Sequence, residues 1–538
     1  MIERPPMKPP KTPFQNKSNT PKVMVAMWLL AFAAVFGHGM LSAFAAELRL
    51  GSPFSDHMVL QREKPVAVWG WAEAGELVSV SFADCSKSVS SAADGRWALE
   101  LDPLTASAEP RKLTVTGRGG RGITVQDVLV GEVWLGSGQS NMEMSAGSAN
   151  NFDAEKASAN LPLIRYYGEA SGPAEKTMPE GRGGWQVCTP ESVRRFSATL
   201  YFFGRELHRE LDVPVGLICS ASGATQIEYW IPAEAQCSDQ KTKANYESML
   251  RGYTSFDEAK VVADYEAKLA AWKLAAEQAI EEKKAPPPRP TDVLAIRKRK
   301  GPPGGLYNGK IFNLIPLSLR GILWYQGESN AGNPDLYHKL LTELVTSWRA
   351  LWNEELPFAW VQLPGFTSPG EAWPRMREAM LKATVLPRTG MAVTIDIGDQ
   401  KNIHPTNKQE VGRRLSLWAL GAVYGKSVPA TGGPLPVGSS IQGNTMTVAF
   451  SQAGGGLKTK DGGSVSGFQI AGADRQWRPA VATIAGDRVA VSSPDVATPV
   501  AVRYAWQDFP ECNLYNAAGL PASPFRTDEW PAEAAAKK

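Results

Sequence analysis

The sequence predicts an α/β protein with a doubly wound, three-layer core around a parallel sheet, flanked by an N-terminal and a C-terminal β-sandwich domain. Its 538 residues exceed what one hydrophobic core usually organises, which suggests about three domains. Residues 128–425 alternate short apolar runs with segments of helical periodicity, a pattern typical of βα units. Short strand-like runs separated by turn residues precede and follow this region, as in antiparallel sandwiches.

Residues 1–46 have the pattern of a cleavable signal peptide. A basic, proline-rich lead ends at Lys22 and is followed by the apolar run Val23–Phe36. Ala43-Phe44-Ala45 then offers a small-x-small cleavage site, and an apolar run this short is a poor membrane span. An uncleaved membrane anchor is the alternative. We expect cleavage near Ala45 and a secreted or periplasmic protein.

Residues 47–127 are predicted to form the N-terminal β-sandwich. Apolar and polar residues alternate in runs such as Pro65–Trp71 and Leu77–Phe82, and turn residues separate the runs. No residue pattern here indicates chemistry, so we interpret the region as an accessory domain.

Residues 128–425 are predicted to form the α/β core domain. Its strands include Pro214–Cys219, Gly321–Tyr325 and Met391–Ile395, and an amphipathic helix is predicted over Tyr337–Leu351. Within this domain, residues 257–302 combine strong helix formers with a proline-rich stretch and a basic run, which indicates a solvent-exposed helical insertion and linker. A regulatory or partner-binding role for the insertion is the alternative.

Strand-like runs return over residues 429–527 and predict the C-terminal β-sandwich, with residues 528–538 as a tail. Examples are Thr445–Phe450, Arg488–Val491 and Val500–Trp506.

Composition excludes several classes of protein. A hydrophobic fraction of 43% and a charged fraction of 21% are ordinary for globular chains. The net charge of +3 and the absence of a long basic run interleaved with aromatics give no reason to expect a nucleic-acid partner. Five cysteines are too few for a disulfide framework, although Cys219 and Cys237 are a pair to test. No Cys/His spacing resembles a zinc site, and we expect no metal and no cofactor.

Ser140 is the candidate nucleophile. It lies in Gly136-Ser137-Gly138-Gln139-Ser140-Asn141-Met142-Glu143-Met144, directly after the apolar run Val128–Leu135. Glycines at the carboxyl end of a buried strand let the backbone bend sharply, which would place Ser140 at the sheet edge where α/β proteins bind ligands. Taken alone, the segment could equally be a polar connecting loop.

A serine hydroxyl needs a base to act as a nucleophile near neutral pH, and His404 is the best candidate. The other histidines after residue 46 lie in helical patterns or in the first β domain: His57, His208 and His338. His404 lies in the polar loop Asp396–Pro405, directly after the strand predicted at Met391–Ile395. A loop that leaves the carboxyl end of a strand of the same sheet would bring His404 to Ser140.

Two further polar turns follow predicted strands of the same sheet. Small residues around Gly223, in the turn Ser220–Trp230, leave backbone N–H groups free to face an anion. The turn Gln326–Asn330 follows Tyr325 and offers amide donors and a carboxylate. Each could be an ordinary βα turn, but four polar turns after four strands predict one site.

Four segments resemble the sialate O-acetylesterase family of the SGNH-hydrolase superfamily: Gly138-Gln139-Ser140-Asn141-Met142, Ser222–Trp230, Trp324–Asn330 and Asn402-Ile403-His404-Pro405. The resemblance spans nearly the whole chain after residue 46 and also includes Ser55–Arg62, Leu306–Gly309 and Gly519–Arg526. It implies an SGNH, flavodoxin-like hydrolase core and an esterase that removes O-acetyl groups from sialic acid.

The resemblance also implies roles for individual residues. Ser140 would attack the acetyl carbonyl, and His404 would remove the serine proton and later activate water, with no metal. The backbone N–H groups of Ser140 and Gly223 would stabilise the oxyanion. Because the superfamily's Gly-x-Asn-Asp block is replaced here, the third donor is either Asn330 or Gln326.

The acid behind His404 is left open by the sequence. The superfamily pattern Asp-x-x-His would place it at Lys401, and a lysine cannot hold an imidazolium. Glu328 and Asp399 are the favoured candidates, with Asp396 as a third. A Ser-His dyad whose ring is held by a backbone carbonyl is the other alternative.

Glu228 and Trp230 are predicted to bind the substrate, Glu228 by accepting from hydroxyls and Trp230 by stacking on a sugar ring. Packing at the strand ends is the alternative. The expected partner is acetylated sialic acid or another acetylated glycan, with no nucleic acid and no stable membrane partner, and the oligomeric state is not predicted. An esterase of acetylated xylan or another polysaccharide, and a non-catalytic glycan-binding protein, are the competing functions.

Overall fold

The computed structural model describes residues 47–368 and 370–531. The predicted signal peptide and the last part of the predicted tail, residues 532–538, lie outside this part of the chain.

The first β-rich region contains two small sheets, with strands β1 (Arg49–Leu50), β2 (Val59–Gln61), β3 (Val66–Trp71), β4 (Leu77–Phe82), β5 (Cys85–Ser90), β6 (Arg96–Leu101) and β7 (Ser107–Thr116). Strands β1, β3 and β6 form one antiparallel sheet, and β5, β4 and β7 are paired antiparallel in that order. In β4, Val78, Val80 and Phe82 are buried while the residues between them are more exposed, so the alternating sequence pattern places one face on the core.

The central sheet contains β8 (Gly122–Gly138), β9 (Leu161–Glu169), β10 (Gly183–Cys188), β11 (Val215–Ala221), β12 (Gly321–Tyr325), β13 (Phe358–Val361) and β14 (Thr389–Ala392). Their order is β10-β9-β11-β8-β12-β13-β14. Every neighbouring pair is parallel except β10 with β9, so the predicted parallel sheet carries one antiparallel edge strand.

Strand β8 belongs both to the first β-rich region and to the central sheet. Its first half pairs with β7 and β2, and its second half pairs with β11 and β12. The domain boundary predicted between residues 127 and 128 therefore falls inside one strand. Asp127 has a left-handed φ of 53°, and the pairing register with β7 shifts next to it, so the strand is irregular at the predicted boundary but no linker interrupts it.

Helices cover both faces of the central sheet. The α-helices are α1 (Ser140–Glu143), α2 (Phe152–Ala157), α3 (Ala198–Leu211), α4 (Ala233–Gln236), α5 (Gln240–Thr254), α6 (Glu258–Glu281), α7 (Val293–Lys300), α8 (Pro334–Trp352), α9 (Ala372–Lys382) and α10 (Lys408–Trp418). Ile322 and Trp324 of β12 pack in the hydrophobic cluster that contains α8 and α9, whereas Leu323 and Tyr325 pack in the cluster that contains α3 and α10. This alternation is expected of a strand buried on both faces.

The predicted insertion at residues 257–302 contains α6 and α7. In α6 only Ala276 is buried, and in α7 no residue is fully buried. The helices therefore lie on the surface of the core domain and contribute little to its hydrophobic interior.

The C-terminal region is built from short antiparallel strands: β15 (Leu435–Gln442), β16 (Thr445–Ser451), β17 (Leu457–Thr459), β18 (Phe468–Ala471), β19 (Trp477–Pro479), β20 (Val481–Ala485), β21 (Arg488–Ser492), β22 (Ala501–Tyr504), β23 (Leu514–Asn516) and β24 (Phe525–Arg526). They form sheets in the orders β15-β16-β21-β20 and β19-β18-β22-β24, with β17 paired to β23. Arg377 of α9 donates to the carbonyl oxygens of Gln507 and Asp508, so this region is tied to the core domain.

All five cysteines lie in the described part of the chain, and all are free thiols. The Cys219–Cys237 pair suggested by the sequence is not a disulfide, because Cys219 is buried beside Tyr166 while Cys237 is exposed. Over residues 47–368 and 370–531, no helix combines the length and the apolar character needed to cross a bilayer.

Candidate active site

The turn after β8 presents Ser140. The strand ends at Gly138, Gln139 is extended, and Ser140 begins α1. Gly138 has a φ of 138°, and a Cβ at this position would lie 2.2 Å from the carbonyl oxygen of Tyr325. Only glycine therefore allows the close approach of β8 and β12 at this point, and the turn directs Ser140 away from the sheet.

The carboxyl ends of three central strands lie level with one another. Gly138 of β8 is paired with Ala221 of β11 and with Tyr325 of β12. The chain leaves β8 and returns on one side as β9 and β11, and later adds β12 on the other side. Ser140 thus lies at the point where the strand order reverses, which is where open α/β sheets bind ligands.

His404 lies at the same edge. Its Nε2 atom is 2.8 Å from Oγ of Ser140, and both side chains are half-buried. The loop that carries it runs from the end of β14 to the start of α10, and the His404 N–H donates to Oδ1 of Asn402. The structure therefore brings together the two residues that the sequence proposed as nucleophile and base.

Asp399 does not orient His404, contrary to one of the two favoured expectations. Its Oδ1 atom accepts from the N–H groups of Lys401 at 2.8 Å and Asn402 at 2.9 Å, and the residue is exposed. Its carboxylate shapes its own turn. Asp396, the third candidate, forms a bidentate ion pair with Arg414.

Glu328 is connected to the histidine loop only through Asn141 and makes no hydrogen bond to His404, so the second favoured expectation is also not met. Its Oε1 atom accepts from Nδ2 of Asn141 at 2.5 Å. Burial raises the pKa of Glu328, and no described residue is a hydrogen-bond partner of its Oε2 atom. No described carboxylate is hydrogen-bonded to the imidazole of His404.

Asn141 connects Glu328 to the histidine loop. The same Nδ2 atom donates to the carbonyl oxygen of Ile403 at 3.0 Å, and Oδ1 accepts from Nζ of Lys408 at 2.6 Å. Lys408 also donates to the carbonyl oxygen of Pro405 at 2.8 Å. The carbonyl groups of the two residues that flank His404 in the chain are therefore held by one buried amide and one buried ammonium group.

Electrostatics favour a neutral imidazole at this site. Burial lowers the pKa of His404, and the positive charge of Lys408 lowers it further. Burial also lowers the pKa of Lys408 itself, to about 7, while Glu328 opposes that change. Below neutral pH, Lys408 is mostly charged and disfavours protonation of the histidine.

We expect the acidic limb of the kcat/KM profile to have an apparent pKa below 6.5, because the base must be neutral and its pKa is depressed. Replacing Lys408 by methionine removes a neighbouring cation and should move that limb to higher pH. The measurement is kcat/KM for an uncharged acetyl ester from pH 4 to pH 9, with Lys401→Met, which removes an exposed lysine of the same loop, as the matched control. A wild-type limb above 6.5 contradicts this electrostatic assignment.

Gly223 faces Ser140, as an oxyanion donor requires. A Cβ on Gly223 would lie 3.4 Å from Cβ of Ser140. The N–H of Gly223 donates to Oε2 of Glu143 at 2.8 Å. The carboxylate of Glu143 therefore occupies this donor in the structure, and an oxyanion could use the N–H only after Glu143 moves.

Asn330 and Gln326, the two candidates for a third donor, are both committed to a buried network. Nδ2 of Asn330 donates to Glu228 at 2.8 Å, and its Oδ1 accepts from Nε2 of Gln326 at 2.7 Å. Nε2 of Gln326 also donates to Oε1 of Gln139 and to the carbonyl oxygen of Thr225. These amides fix the turns to one another instead of pointing at the serine.

Glu228 and Trp230 were expected to bind substrate, but the structure buries both side chains. Glu228 is buried, and its carboxylate accepts from Asn330 and from Asn245 at 2.9 Å. Trp230 is fully buried, donates to Oγ1 of Thr225 at 3.0 Å and packs edge-to-face on Trp324. This burial agrees with the packing alternative, and neither side chain presents a surface to a ligand in this structure.

The comparisons with known proteins agree with this geometry. The family model described as carbohydrate esterase, sialic acid-specific acetylesterase, matches residues 130–267 and 308–419, which include Ser140, Gly223 and His404. A crystal structure of a carbohydrate acetylesterase from Xanthomonas citri is 34% identical, covers 90% of this chain and 100% of its own, and superposes with a TM-score of 0.76. The chain belongs to the sialic acid-specific acetylesterase family of carbohydrate esterases.

Curated relatives match over most of their length. The sialate O-acetylesterase of Rattus norvegicus is 28% identical, with 93% of this chain and 97% of the rat protein covered. The sialate O-acetylesterase of Homo sapiens is also 28% identical, with 90% and 94% covered. As a member of this family, the chain is a carboxylic ester hydrolase.

The sequence analysis did not identify three residues that the structure places in the site. Asn141 and Glu143 stand inside the motif around Ser140, but a motif does not show which of its polar side chains turn inward. Lys408 lies four residues after His404, at the first position of α10, and its closeness to the histidine in the sequence was the available signal. Its burial was not predictable, because lysine is almost always exposed.

Proposed function

We propose that this acetylesterase removes O-acetyl groups from sialic acid by two acyl-transfer steps through Ser140. The observation that carries the proposal is the 2.8 Å contact between Oγ of Ser140 and Nε2 of His404, next to the backbone N–H of Gly223. The relatives named sialate O-acetylesterase, matched over almost their whole length, support sialic acid as the sugar.

In the first step, Nε2 of His404 takes the proton of Ser140 as Oγ attacks the acetyl carbonyl carbon. The carbonyl electron pair moves to the oxygen, and the N–H groups of Ser140 and Gly223 stabilise the negative charge once Glu143 has moved away. His404 then gives the proton to the sugar oxygen, the bond between that oxygen and the acetyl carbon breaks, and the deacetylated sugar leaves. The acetyl group remains on Ser140.

In the second step, water takes the place of the serine hydroxyl as the nucleophile. His404 removes a proton from water as the water oxygen attacks the acetyl carbon, and the same N–H groups stabilise the oxyanion. Collapse of this intermediate breaks the bond to Oγ, the proton returns to Ser140, and acetate leaves. The depressed pKa of His404 keeps the imidazole neutral at the start of each step.

The site acts as a Ser-His dyad in this proposal. The backbone on either side of His404 is held through Ile403 and Pro405 by Asn141 and Lys408, which supplies the orientation that a carboxylate gives in a triad. Glu328 acts through Asn141 and is a positioning residue.

We also infer a three-layer SGNH, flavodoxin-like core and export of the protein. The parallel strands with helices on both faces, and the position of Ser140 at the reversal of strand order, support this fold. The sequence pattern of residues 1–46 supports export and cleavage near Ala45.

The test is a panel assay of acetate release from defined acetylated sugars. We expect the wild-type protein to release acetate from O-acetylated N-acetylneuraminic acid with a higher kcat/KM than from acetylated xylan, and Ser140→Ala to release none from either. Release from xylan alone would keep the mechanism and replace the sugar. Release from no acetylated glycan, combined with glycan binding, would favour a non-catalytic binding protein.

A further inference from the structure

A cavity of about 370 Å³ lies beside the turn that carries Gly223. Helices α5 and α7 form one side of it, and the turn forms the other. Its lining includes Gln226, Tyr229, Tyr253, Phe256, Arg297 and Lys300. This volume is within the range of small-molecule sites, and the mixture of aromatic and cationic side chains suits a sugar that carries a negative charge.

Arg297 is held rigidly in this cavity. Its guanidinium carbon lies 3.8 Å from the ring centre of Tyr253 and 4.1 Å from that of Phe256, and Nη2 donates to the carbonyl oxygen of Tyr253 at 2.8 Å. Arg297 forms no ion pair with any described carboxylate. A stacked guanidinium loses little freedom when it binds a ligand, and its remaining N–H groups match the geometry of a carboxylate.

Lys300 adds a second positive charge. Its Nζ atom lies 5.8 Å from the ring centre of Tyr229, and burial lowers its pKa. Glu228 is the acidic group that opposes this shift, but its carboxylate is already hydrogen-bonded by Asn245 and Asn330. Within the described chain, Lys300 therefore has no ion-pair partner, and a bound anion would supply one.

The cavity is within reach of the nucleophile. Gln226 lines it, and Gly223, three residues earlier, faces Ser140. Three residues of fully extended chain span at most about 11 Å, so Gln226 lies no farther from Gly223 than about the length of one or two sugar units. A single acidic sugar could place its charged group in the cavity and its acetyl ester at Ser140.

We propose that this cavity is a subsite for the carboxylate of an acidic sugar, and that Arg297 and Lys300 bind the carboxylate. The inference rests on the proposed function, since it names the residues that select an acidic over a neutral acetylated sugar. Both residues lie between the two segments matched by the family model, which omits residues 268–307. The subsite thus gives the helical insertion a role in substrate choice.

The first test compares two substrates that differ only at the carboxyl group, O-acetylated N-acetylneuraminic acid and its uncharged methyl ester. We expect the wild-type KM to be about tenfold lower for the free acid, because a charge-assisted hydrogen bond is lost in the ester. Arg297→Gln and Lys300→Met should each raise the KM for the acid toward that for the ester. Equal KM values in the wild type, or equal increases for both substrates in both variants, overturn the subsite.

Matched controls separate binding from folding. Arg299→Gln removes the same charge from an exposed neighbour that does not line the cavity, and its preference for the acid should match the wild type. Turnover of 4-nitrophenyl acetate, which does not reach the cavity, should be unchanged in all three variants. Lys300→Met provides the second variant in case loss of the stacked Arg297 unfolds α7.

The second test does not need turnover. Binding of unacetylated N-acetylneuraminic acid to the full chain is measured by saturation-transfer NMR and titration calorimetry, for the wild type, Arg297→Gln and Arg299→Gln. Binding that weakens in Arg297→Gln alone supports the subsite, even if no sialate ester is hydrolysed, in which case only the proposed function fails. Absence of binding, or equal binding by all three proteins, overturns it.

Discussion

Replacing Ser140 by alanine is expected to lower kcat for acetyl ester hydrolysis by about 10⁴-fold or more, and His404→Ala should cost about as much, because nucleophile and base act as one unit. The loss should appear with every acetyl ester, since both residues act on the acetyl group itself. Unfolding free energy should change by less than about 1 kcal/mol in Ser140→Ala, because the side chain is half-buried and, among the described residues, its hydroxyl is hydrogen-bonded only to His404.

The control for this comparison is Ser137→Ala. Ser137 lies three residues before Ser140 in the same motif, is buried, and has a hydroxyl with no partner among the described residues. Its removal leaves no group unsatisfied, so activity and stability should remain close to wild type. For His404, His338→Gln is the corresponding control, as His338 lies in α8 away from the serine. Near wild-type turnover by either Ser140→Ala or His404→Ala contradicts the assignment.

Asn141→Ala is expected to lower kcat by about 10²-fold, because a small displacement of a catalytic group is costly and Asn141 holds the peptide group before His404. The change also leaves the buried Glu328 and Lys408 without their common partner, so we expect a destabilisation of about 2–4 kcal/mol. KM should change little, since Asn141 is buried and does not face the substrate. Kinetics at a temperature well below the melting transition measure the catalytic effect separately from stability.

Met142→Leu is the matched control for Asn141→Ala. Met142 is the next residue, is also fully buried, and makes no contact with the histidine loop through a polar group. A volume-conserving apolar exchange should keep kcat and cost less than about 1.5 kcal/mol. If Asn141→Ala keeps the wild-type kcat, the histidine is not positioned through this amide.

The pairing of Ser140 with His404 could be predicted from the sequence because it follows from strand order. Both residues stand in polar turns directly after apolar runs, and parallel strands bring such turns to one edge. The same reasoning placed Gly223 beside the serine. The strand predicted at Gly321–Tyr325 is β12, whereas the strand predicted at Met391–Ile395 begins two residues earlier and ends at Ala392 in β14.

That no described carboxylate is hydrogen-bonded to the imidazole of His404 could not be predicted, because proximity in sequence or in the fold does not decide hydrogen bonding. Asp399 stands five residues before His404, yet its carboxylate caps the turn made by Lys401 and Asn402. Glu328 reaches the histidine loop only through Asn141. Which polar side chain turns inward depends on the register of neighbouring strands, and the sequence does not contain that register.

The interpretation of Glu228 and Trp230 as substrate-binding residues is not supported by the structure, for a related reason. Glu228 and Trp230 follow the turn at Gly223 and look accessible when loops are assumed to be exposed. In the structure, Asn330 and Asn245 bind the carboxylate of Glu228, and Trp230 packs under Trp324. The basic run at the end of the insertion, interpreted as a solvated face, instead contributes Arg297 and Lys300 to a cavity.

The most direct test of the Ser140 mechanism is covalent labelling with a fluorophosphonate, followed by intact mass measurement and peptide mapping. For this mechanism we expect one adduct per chain, located on Ser140, with loss of esterase activity in proportion to labelling and no adduct on Ser140→Ala. An adduct on another residue that abolishes activity, or full activity in protein labelled at Ser140, would contradict it.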